Sequence, residues 1–453
     1  MPSYAYVTVT QAVQDLSARL YDAANQLYSV AELQAYIQDA VQTWNALTSF
    51  YRQDMSFPLV AATPWYDLSK QANTARPNSL TDLSQINLIE YALLEPLTQA
   101  YPLTWSGSLQ FTLPDILAAW TDKQNEALGT AGCTLTIGTI AALIQLQGLT
   151  PPDTTLVLRR VAWIPNSGFG YGMTIMRQSD AWAKQAYDPA WTTQAQAPPR
   201  NWMQSTELPP TFDVDRVPPV PGAYELLISE SGPASVATQS NPVAVPNDWA
   251  WAPRWGALAR LLSHESNAND AMRAKYAESR FQQGMAVMAS SPSVLALRIN
   301  NIPRAVDSVR NADDYNAGWE GAAAAPPRVG YLAGLNLIAF PPVDAPAGGY
   351  SATCSVVAAM PLFQNGGSYL QIARDDYDSV MDEAQHVAMF KVGGQEFANS
   401  MGLHGNFVKR AALYNSKLKE MGFYAPTIYE ASRDEDERNP QYGEGQPSGV
   451  LNG

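Results

Sequence analysis

The pair of residues with the most chemical promise is Glu383-x-x-His386, inside DEAQHVAMFKVGGQEF, Asp382 to Phe397. On a helix that spacing sets a carboxylate and an imidazole one turn apart on one face. Di-metal carboxylate bundles use it, but they need two such motifs plus a Glu from each of two further helices. The chain has three histidines, His264, His386 and His404, and neither of the others has a Glu three residues before it. The ligand count falls short, so no metal and no cofactor is expected. The alternative is a His386 in a partly buried helix interface, bonded to a backbone carbonyl, to Asp382 or to Glu383.

Other candidate chemistry is thinner. Gly168-Phe-Gly170-Tyr-Gly172 lacks the spacing of a dinucleotide loop and reads as a tight turn. A Ser-His-Asp or Cys-His triad has little material with so few histidines, and no catalytic residue is expected. Asp375, Asp376, Asp378, Asp382 and Glu383 crowd the start of a helix, where the dipole favours negative charge, and read as a solvated helix start. Trp249, Trp251 and Trp255 cluster at another helix start and read either as interface anchors or as core, with sugar binding as a minor alternative.

Composition narrows the class. Charged residues make up 15% of the 453, against about a quarter in an ordinary domain. Such a surface meets other protein or is covered by amides and hydroxyls. The net charge of −14 repels nucleic acid and fits either plain solubility or a wall that DNA slides past. Cys133 and Cys354 sit among apolar or small residues and read as buried thiols, which fits synthesis in a reducing cytoplasm. The opening MPSYAYVTVT lacks the pattern of a signal peptide, and no run reaches the ~18 apolar residues of a membrane span.

The elements that must position these residues follow from periodicity. Thr10 is expected to cap a helix through Val13, Leu16, Leu20 and Leu27. Ser29-Val-Ala-Glu32 is a capping box opening a second helix through Leu33, Ile37, Ala40, Val41, Trp44 and Leu47. Phe57-Pro58 to Leu68 breaks the pattern. Residues Gln85 to Leu94 alternate and are read as strand, although a helical stripe at Ile86, Ile89 and Leu93 also fits; Leu103 to Leu113 alternate as well. Helix is expected over Asp115 to Leu128, Trp249 to Ser263 and Asp270 to Ser290, the last carrying Met272, Tyr276, Phe281 and Met285. Strands are expected over Thr154 to Ile164, Ala223 to Ser229, Val294 to Ile299, Leu335 to Phe340 and Tyr350 to Met360. Gly318 to Pro327 is expected to be a mobile arm. Tyr377, Val380, Met381, Ala384, Val387 and Ala388 line one C-terminal helix, Gly393-Gly394 turns it, and Phe397, Met401, Phe407, Ala411, Tyr414 and Leu418 line the next.

Several of these stretches together resemble one family of tailed-bacteriophage virion proteins, the head-to-tail connector or neck (portal adaptor) class. They are Leu33 to Trp44, Tyr66-Asp67-Leu68, IEYALLEP at Ile89 to Pro96 and Trp105 to Leu113 leading into a helix. Then come Arg159-Arg160-Val161-Ala162-Trp163, WGALARLLS at Trp255 to Ser263 and YAESRFQQG at Tyr276 to Gly284. The last are Gly334 to Ala339 and AQHVAMFKVGGQEF at Ala384 to Phe397. The resemblance implies a structural virion protein, a twelvefold ring beneath the portal that joins it to the tail and surrounds the DNA channel. Its partners would be its own copies, the portal protein, tail or other neck proteins, and genomic DNA passing without specific binding, with no membrane. It would be made in the host cytoplasm and reside in the virion.

The expected fold class is α+β, with N- and C-terminal segments forming one helical domain and a β-rich, sandwich-like middle with long ordered loops. The divisions are 1–129, a helical adaptor-like domain with a β-hairpin; 130–246, β-rich; 247–371, mixed; 372–432, a helical hairpin packing on the N-terminal helices; and 433–453, a flexible tail. Leu33, Ile37, Trp44, Trp255, His386, Phe390, Phe397, Phe407 and Tyr414 are the candidate packing and assembly residues. Two other readings stand beside the connector: a peripheral collar or host-binding tail appendage, and a metal-carboxylate enzyme or cell-wall hydrolase.

Overall fold

Thr8, not Thr10, opens the first helix, α1 (Val9–Arg19): its hydroxyl accepts from Gln11 N–H at 3.2 Å and Gln11 Oε1 accepts from Thr8 N–H at 2.9 Å. The helix stops before Leu27 because Asp22 captures the chain. Its carboxylate accepts from the N–H groups of Gln26, Leu27 and Tyr28 at 2.7, 2.9 and 2.8 Å. Tyr21 and Asn25 take left-handed backbone angles to make that turn. Ser29 then caps α2 (Val30–Thr48) by accepting from Glu32 N–H at 3.2 Å.

The structure is a computed structural model that describes residues 5–61, 63–70, 88–89, 92–93, 111, 113–142, 148–166, 172–204, 211–231, 244–264, 270–291, 293–315, 318–344, 349–361, 363 and 366–420. In chain order α2 is followed by β1 (Arg52–Leu59), β2 (Trp65–Asp67), α3 (Leu113–Ala131), β3 (Leu135–Ala142), β4 (Thr155–Pro165) and β5 (Thr174–Gln178). Next are α4 (Ala181–Tyr187), β6 (Asn201–Gln204), β7 (Phe212–Val214), β8 (Gly222–Glu230), α5 (Trp251–Ser263) and α6 (Ala271–Ser290). The chain closes with β9 (Val294–Ile299), β10 (Ile302–Ser308), α7 (Val309–Tyr315), β11 (Val329–Ala333), β12 (Leu337–Ala339), β13 (Tyr350–Val357), α8 (Tyr377–Val392) and α9 (Gly394–Glu420).

The fold is α+β, as expected. Helices α1 and α2 pack with α8 and α9, and two curled sheets form the middle. Among the described residues one sheet runs β1-β13-β9-β10-β11-β12-β2, antiparallel except for β10 beside β11. The other runs β3-β8-β4-β5-β6-β7, antiparallel except for β5 beside β6. The first sheet draws β1 and β2 from the N-terminal quarter and pairs β1 along its full length with β13. Its interior cluster includes Met55, Phe57, Leu297, Ile299, Phe340 and Cys354. The helices share a larger cluster that includes α1, α2, α3, α5, α6, α8 and α9.

Several expectations change. Phe57-Pro58 does not break a pattern but sits in β1, whose Met55, Phe57 and Leu59 point inward. β1 is an edge strand, so Pro58 removes no ladder bond that its neighbour needs. Within the stretch read as strand, Leu88, Ile89, Ala92 and Leu93 are helical, with Leu88 and Ile89 buried on one face; residues 85–87, 90–91 and 94 lie outside the described residues. So do the alternating run 103–110, residues 168–171 of the glycine-rich stretch, the 433–453 tail and the side chain of Leu418. The 318–327 loop is no free arm, since Trp319 is fully buried and Glu320 is buried beside it. Met272 and Met401, expected on packed faces, are exposed. Among the described residues no helix is long and apolar enough to cross a membrane.

One polar contact between the two sheets lies at the turn from β11 to β12. Asn336 accepts from Leu135 N–H at 2.8 Å and donates to Leu135 C=O at 2.9 Å. The turn that aims it needs Gly334, whose φ is +59° and whose added Cβ would lie 2.2 Å from Gly132 O. Gly334→Ala is expected to lose about 2 kcal/mol or more, read as a lower urea midpoint. An unchanged midpoint would show that the turn is not strained by a side chain.

Candidate functional site

Helices α6, α8 and α9 meet around Glu383, and the meeting depends on a tight turn. Gly393 and Gly394 have φ of 71° and 57°, which lets α9 fold straight back on α8, as the sequence led us to expect. This brings residues of the two helices into one interior with α6 as its third wall. Glu383 and His386 are both fully buried there.

The two residues share a face but serve different partners. Glu383 accepts from Arg280 Nη2 at 2.8 Å and from His404 Nδ1 at 2.7 Å. Arg280 Nη1 is 2.6 Å from the His404 ring, and its guanidinium lies 5.5 Å from the centroids of both Trp251 and Trp255. His386 faces the other way, with Nε2 2.6 Å from Tyr276 OH and Nδ1 2.8 Å from Ser400 Oγ. Ser400 spends its hydrogen on Phe397 C=O at 2.7 Å, so its oxygen accepts from His386 Nδ1–H. Nε2 is then left to accept from the tyrosine hydroxyl. The expected partners of His386, a backbone carbonyl, Asp382 or Glu383, are therefore replaced by Tyr276 and Ser400. Its ring also stacks on Phe397 and His404 at 5.1 and 5.4 Å.

The electrostatics follow from burial against pairing. Burial pushes the Glu383 carboxyl up, but Arg280 and His404 outweigh it and hold the group well below the usual carboxylate range. Burial pushes His386 down to about 3, with Arg280 adding to the effect and Glu383 opposing it. Burial also pushes the Tyr276 hydroxyl up to about 12. Both Glu383 and His386 thus resist acid. The neutral imidazole stabilises the fold above its unfolded value near 6.5, and that contribution is lost as pH falls toward 3. The carboxylate contributes above about 4.5 and is lost as pH falls below it. His386→Asn is expected to lose less Tm than the wild type between pH 6.5 and 4 in thermal scans. Equal losses in the two proteins would contradict the assignment.

Two more buried ion pairs fasten α2 to its surroundings. Lys391 on α8 donates to both oxygens of Glu32 at 2.9 and 3.1 Å and to Leu27 C=O at 3.0 Å, with both charged side chains fully buried. Tyr36 OH donates to the same carboxylate at 2.8 Å. One α2 stretch further on, Arg254 on α5 grips both oxygens of Asp39, Nη2 to Oδ2 at 2.8 Å. These pairs were missed in the sequence. The signal was there: Glu32 and Asp39 stand seven residues apart on the apolar stripe that holds Leu33, Ile37 and Ala40, where a lone acid would be costly.

The acidic run at the start of α8 is likewise only partly a solvated face. Asp375 and Asp378 are exposed, whereas Asp376 is buried and accepts from Arg410 Nε at 2.8 Å. Arg19 of α1 donates to Asp378 and Asp382 at 2.8 and 3.0 Å, tying the first helix to the last hairpin. Trp249, Trp251 and Trp255 are core residues, 5%, 3% and 1% exposed, which settles the choice left open between core and surface anchor. Cys133 and Cys354 are free and buried, and burial pushes both thiols up to about 12.

The remaining candidate residues gather in the same interior. Leu33, Ile37, Trp44, Trp255, Phe390, Phe397 and Phe407 are buried in the helical cluster, and Tyr414 packs against it. Trp44 of α2 meets Phe407 and Tyr414 of α9 at 5.7 and 5.9 Å between ring centroids. Trp255 meets Phe390 edge-on at 4.9 Å. A cavity of about 360 Å3 lies along α1 and α2, lined by residues such as Thr10, Gln14, Ser17 and Gln34, and neither Glu383 nor His386 lines it. Among the described residues no group of three or more His, Cys, Asp or Glu side chains is placed to hold a metal ion. No protein-family model and no curated protein matches the chain.

Proposed function

We propose that the chain is a structural virion protein, a ring-forming head-to-tail connector that joins the portal to the tail of a bacteriophage. The observation that carries this reading is where the reactive-looking side chains go. Glu383, His386, Lys391 and Arg280 are enclosed among helices and committed to one another or to Tyr276, Ser400, His404 and Glu32. They work as fasteners: Lys391 closes α8 onto α2 through Glu32, and Glu383 and His386 close the α8–α9 hairpin onto α6 through Arg280 and Tyr276. A subunit built this way holds its shape under load, which suits a part between portal and tail.

The surface supports the same reading. The outward side of α9 exposes Met401, Val408 and Leu413, and added Cβ atoms at Gly402 and Gly405 would meet nothing within 4 Å. Glycine inside an exposed helix costs about 1 kcal/mol against alanine. In a ring, that cost is offset by close approach of a neighbouring copy. The net charge of −14 suits a wall that passing DNA does not adhere to.

Light scattering of the purified chain, alone and with its portal, tests the proposal. A ring, or a portal complex of defined stoichiometry, is expected; a strict monomer that ignores the portal would sink it. A second reading, a peripheral appendage that touches the host, is favoured by α4, which buries none of its side chains and shows Trp182 and Tyr187 at 86% and 91% exposure. Virion density away from the portal–tail axis would favour that reading instead. Bound metal by elemental analysis, or a clearing zone on peptidoglycan, would favour an enzyme over both.

A further inference from the structure

The two sheets meet over a second, separate ionic cluster with an unbalanced charge. Arg160 on β4 is 5% exposed and faces three carboxylates. Its Nε lies 2.6 Å from Asp313 of α7, its Nη2 3.1 Å from Glu320 and its Nη1 3.4 Å from Glu225 of β8. The side chain of Glu320 is 2% exposed. Two indoles roof the cluster, with the guanidinium 5.7 Å from the centroid of Trp65 and 5.8 Å from that of Trp319. Trp319 donates its indole N–H to Asp313 at 2.9 Å and packs on Tyr331.

Three ionised carboxylates around one guanidinium leave two negative charges in a cluster where Glu320, Glu225 and Asp313 are 2%, 11% and 17% exposed. Charges that close and that dry are not all ionised at once. Glu320 is the most deeply buried of the three, and neither of its oxygens has a well-formed hydrogen bond among the described residues, which costs a carboxylate more than a neutral carboxyl.

We propose that Glu320 keeps a proton in the closed structure, and that this neutral carboxyl holds the 318–327 loop of one sheet against Arg160 of the other. Glu320 sits in the 3-10 turn Trp319–Gly321 and is the loop's charged contact with β4. The charged groups facing it are Arg160, Glu225 and Asp313; Trp65, Trp319 and Tyr331 supply the neutral walls. Burial pushes the Glu320 carboxyl up to about 7, with Arg160 opposing and Glu225 and Asp313 adding repulsion. Burial moves Glu225 upward too, against Arg160. The sign is that of an acid whose value is raised in the closed state. The closed loop holds a proton that the open loop releases above about 4.5, so closure weakens as pH rises from there to about 7 and then levels off. The latch does not depend on the connector reading and would operate in any assembly.

Hydrogen exchange of the loop, corrected for intrinsic rates, reads this directly. The reporting amides are Gly321, bonded to Gly318 C=O at 3.0 Å, and Ala325, bonded to Pro342 C=O at 3.1 Å. In the wild type their protection is expected to fall about tenfold per pH unit between pH 5 and 7 and to be flat from 7 to 8. In Glu320→Gln the fall should disappear, because the amide stays neutral at every pH. If that variant does not fold, Glu225→Gln removes one of the carboxylates that repel Glu320 and should flatten the fall between pH 6 and 7. Wild-type protection that stays constant over pH 5 to 7, or a variant that keeps the wild-type slope, would overturn the proposal.

Discussion

Lys391→Met is expected to remove about 3–5 kcal/mol of stability, among the largest single effects in the molecule. The lysine Nζ is held by both oxygens of Glu32 and by Leu27 C=O, over the ring of Tyr28 at 4.9 Å. Burial pushes the ammonium's pKa down, and Glu32, with a smaller contribution from Asp22, pulls it back up, so its charge depends chiefly on the Glu32 carboxylate. Methionine fills the space and leaves Glu32 fully buried without its cation, with Tyr36 OH still donating to it. The double variant Lys391→Met with Glu32→Leu removes both charges and should recover most of the loss, since a buried pair exchanged for apolar residues of similar size is often neutral. Urea denaturation of the two proteins measures both numbers. A single variant within 1 kcal/mol of the wild type would mean that α2 and α8 are held by packing alone.

Arg280→Met is expected to cost about as much, roughly 3–5 kcal/mol, and to leave a signature in pH. Arg280 is the cation that holds Glu383 ionised against burial, and it also binds His404. Without it, burial pushes the Glu383 carboxyl above its unfolded value near 4.5. The sign of its linkage then reverses. In the wild type this group adds stability above about 4.5; in the variant, the penalty is present at neutral pH and is relieved as acid protonates the group. The stability gap between wild type and Arg280→Met should therefore narrow from pH 7 to pH 4. Adding Glu383→Gln should raise the variant's Tm at pH 7. A gap that is constant with pH would show that Arg280 acts through packing on Trp251 and Trp255 and not through its charge.

Much of the helical framework could be read from local signals. Ser29 at the head of α2 caps where its residue type suggested, and Gly393-Gly394 turns α8 into α9. These features depend on residues within one turn of each other. The strands were less legible. Pro58 disguised β1, and the partner that makes it a strand, β13, lies about 300 residues away, as in Ser56 against Thr353. Alternation in 85–94 fitted two periods at once, and only the buried face of Leu88, Ile89 and Ala92 chose the helix.

The candidate site shows the same limit. Glu383-x-x-His386 looked like one constellation because its members are close in sequence. In the fold they separate: Glu383 belongs to Arg280, 103 residues away, and His386 to Tyr276, 110 residues away. Lys391 and Glu32 are 359 residues apart, and no spacing rule finds such a pair. What the sequence does offer is the anomaly, a charged residue on an apolar stripe, which demands a buried partner without naming it. Glu32, Asp39, Glu383 and Lys391 all carried that mark.

The most direct test of the connector account is a reconstruction of the virion neck. It predicts rotationally symmetric density between portal and tail that accepts this chain, with the hairpin of α8 and α9 closed on α1 and α2 and the outer face of α9 against a neighbouring copy. A neck filled by other chains, with this protein absent or attached away from the portal–tail axis, would contradict it.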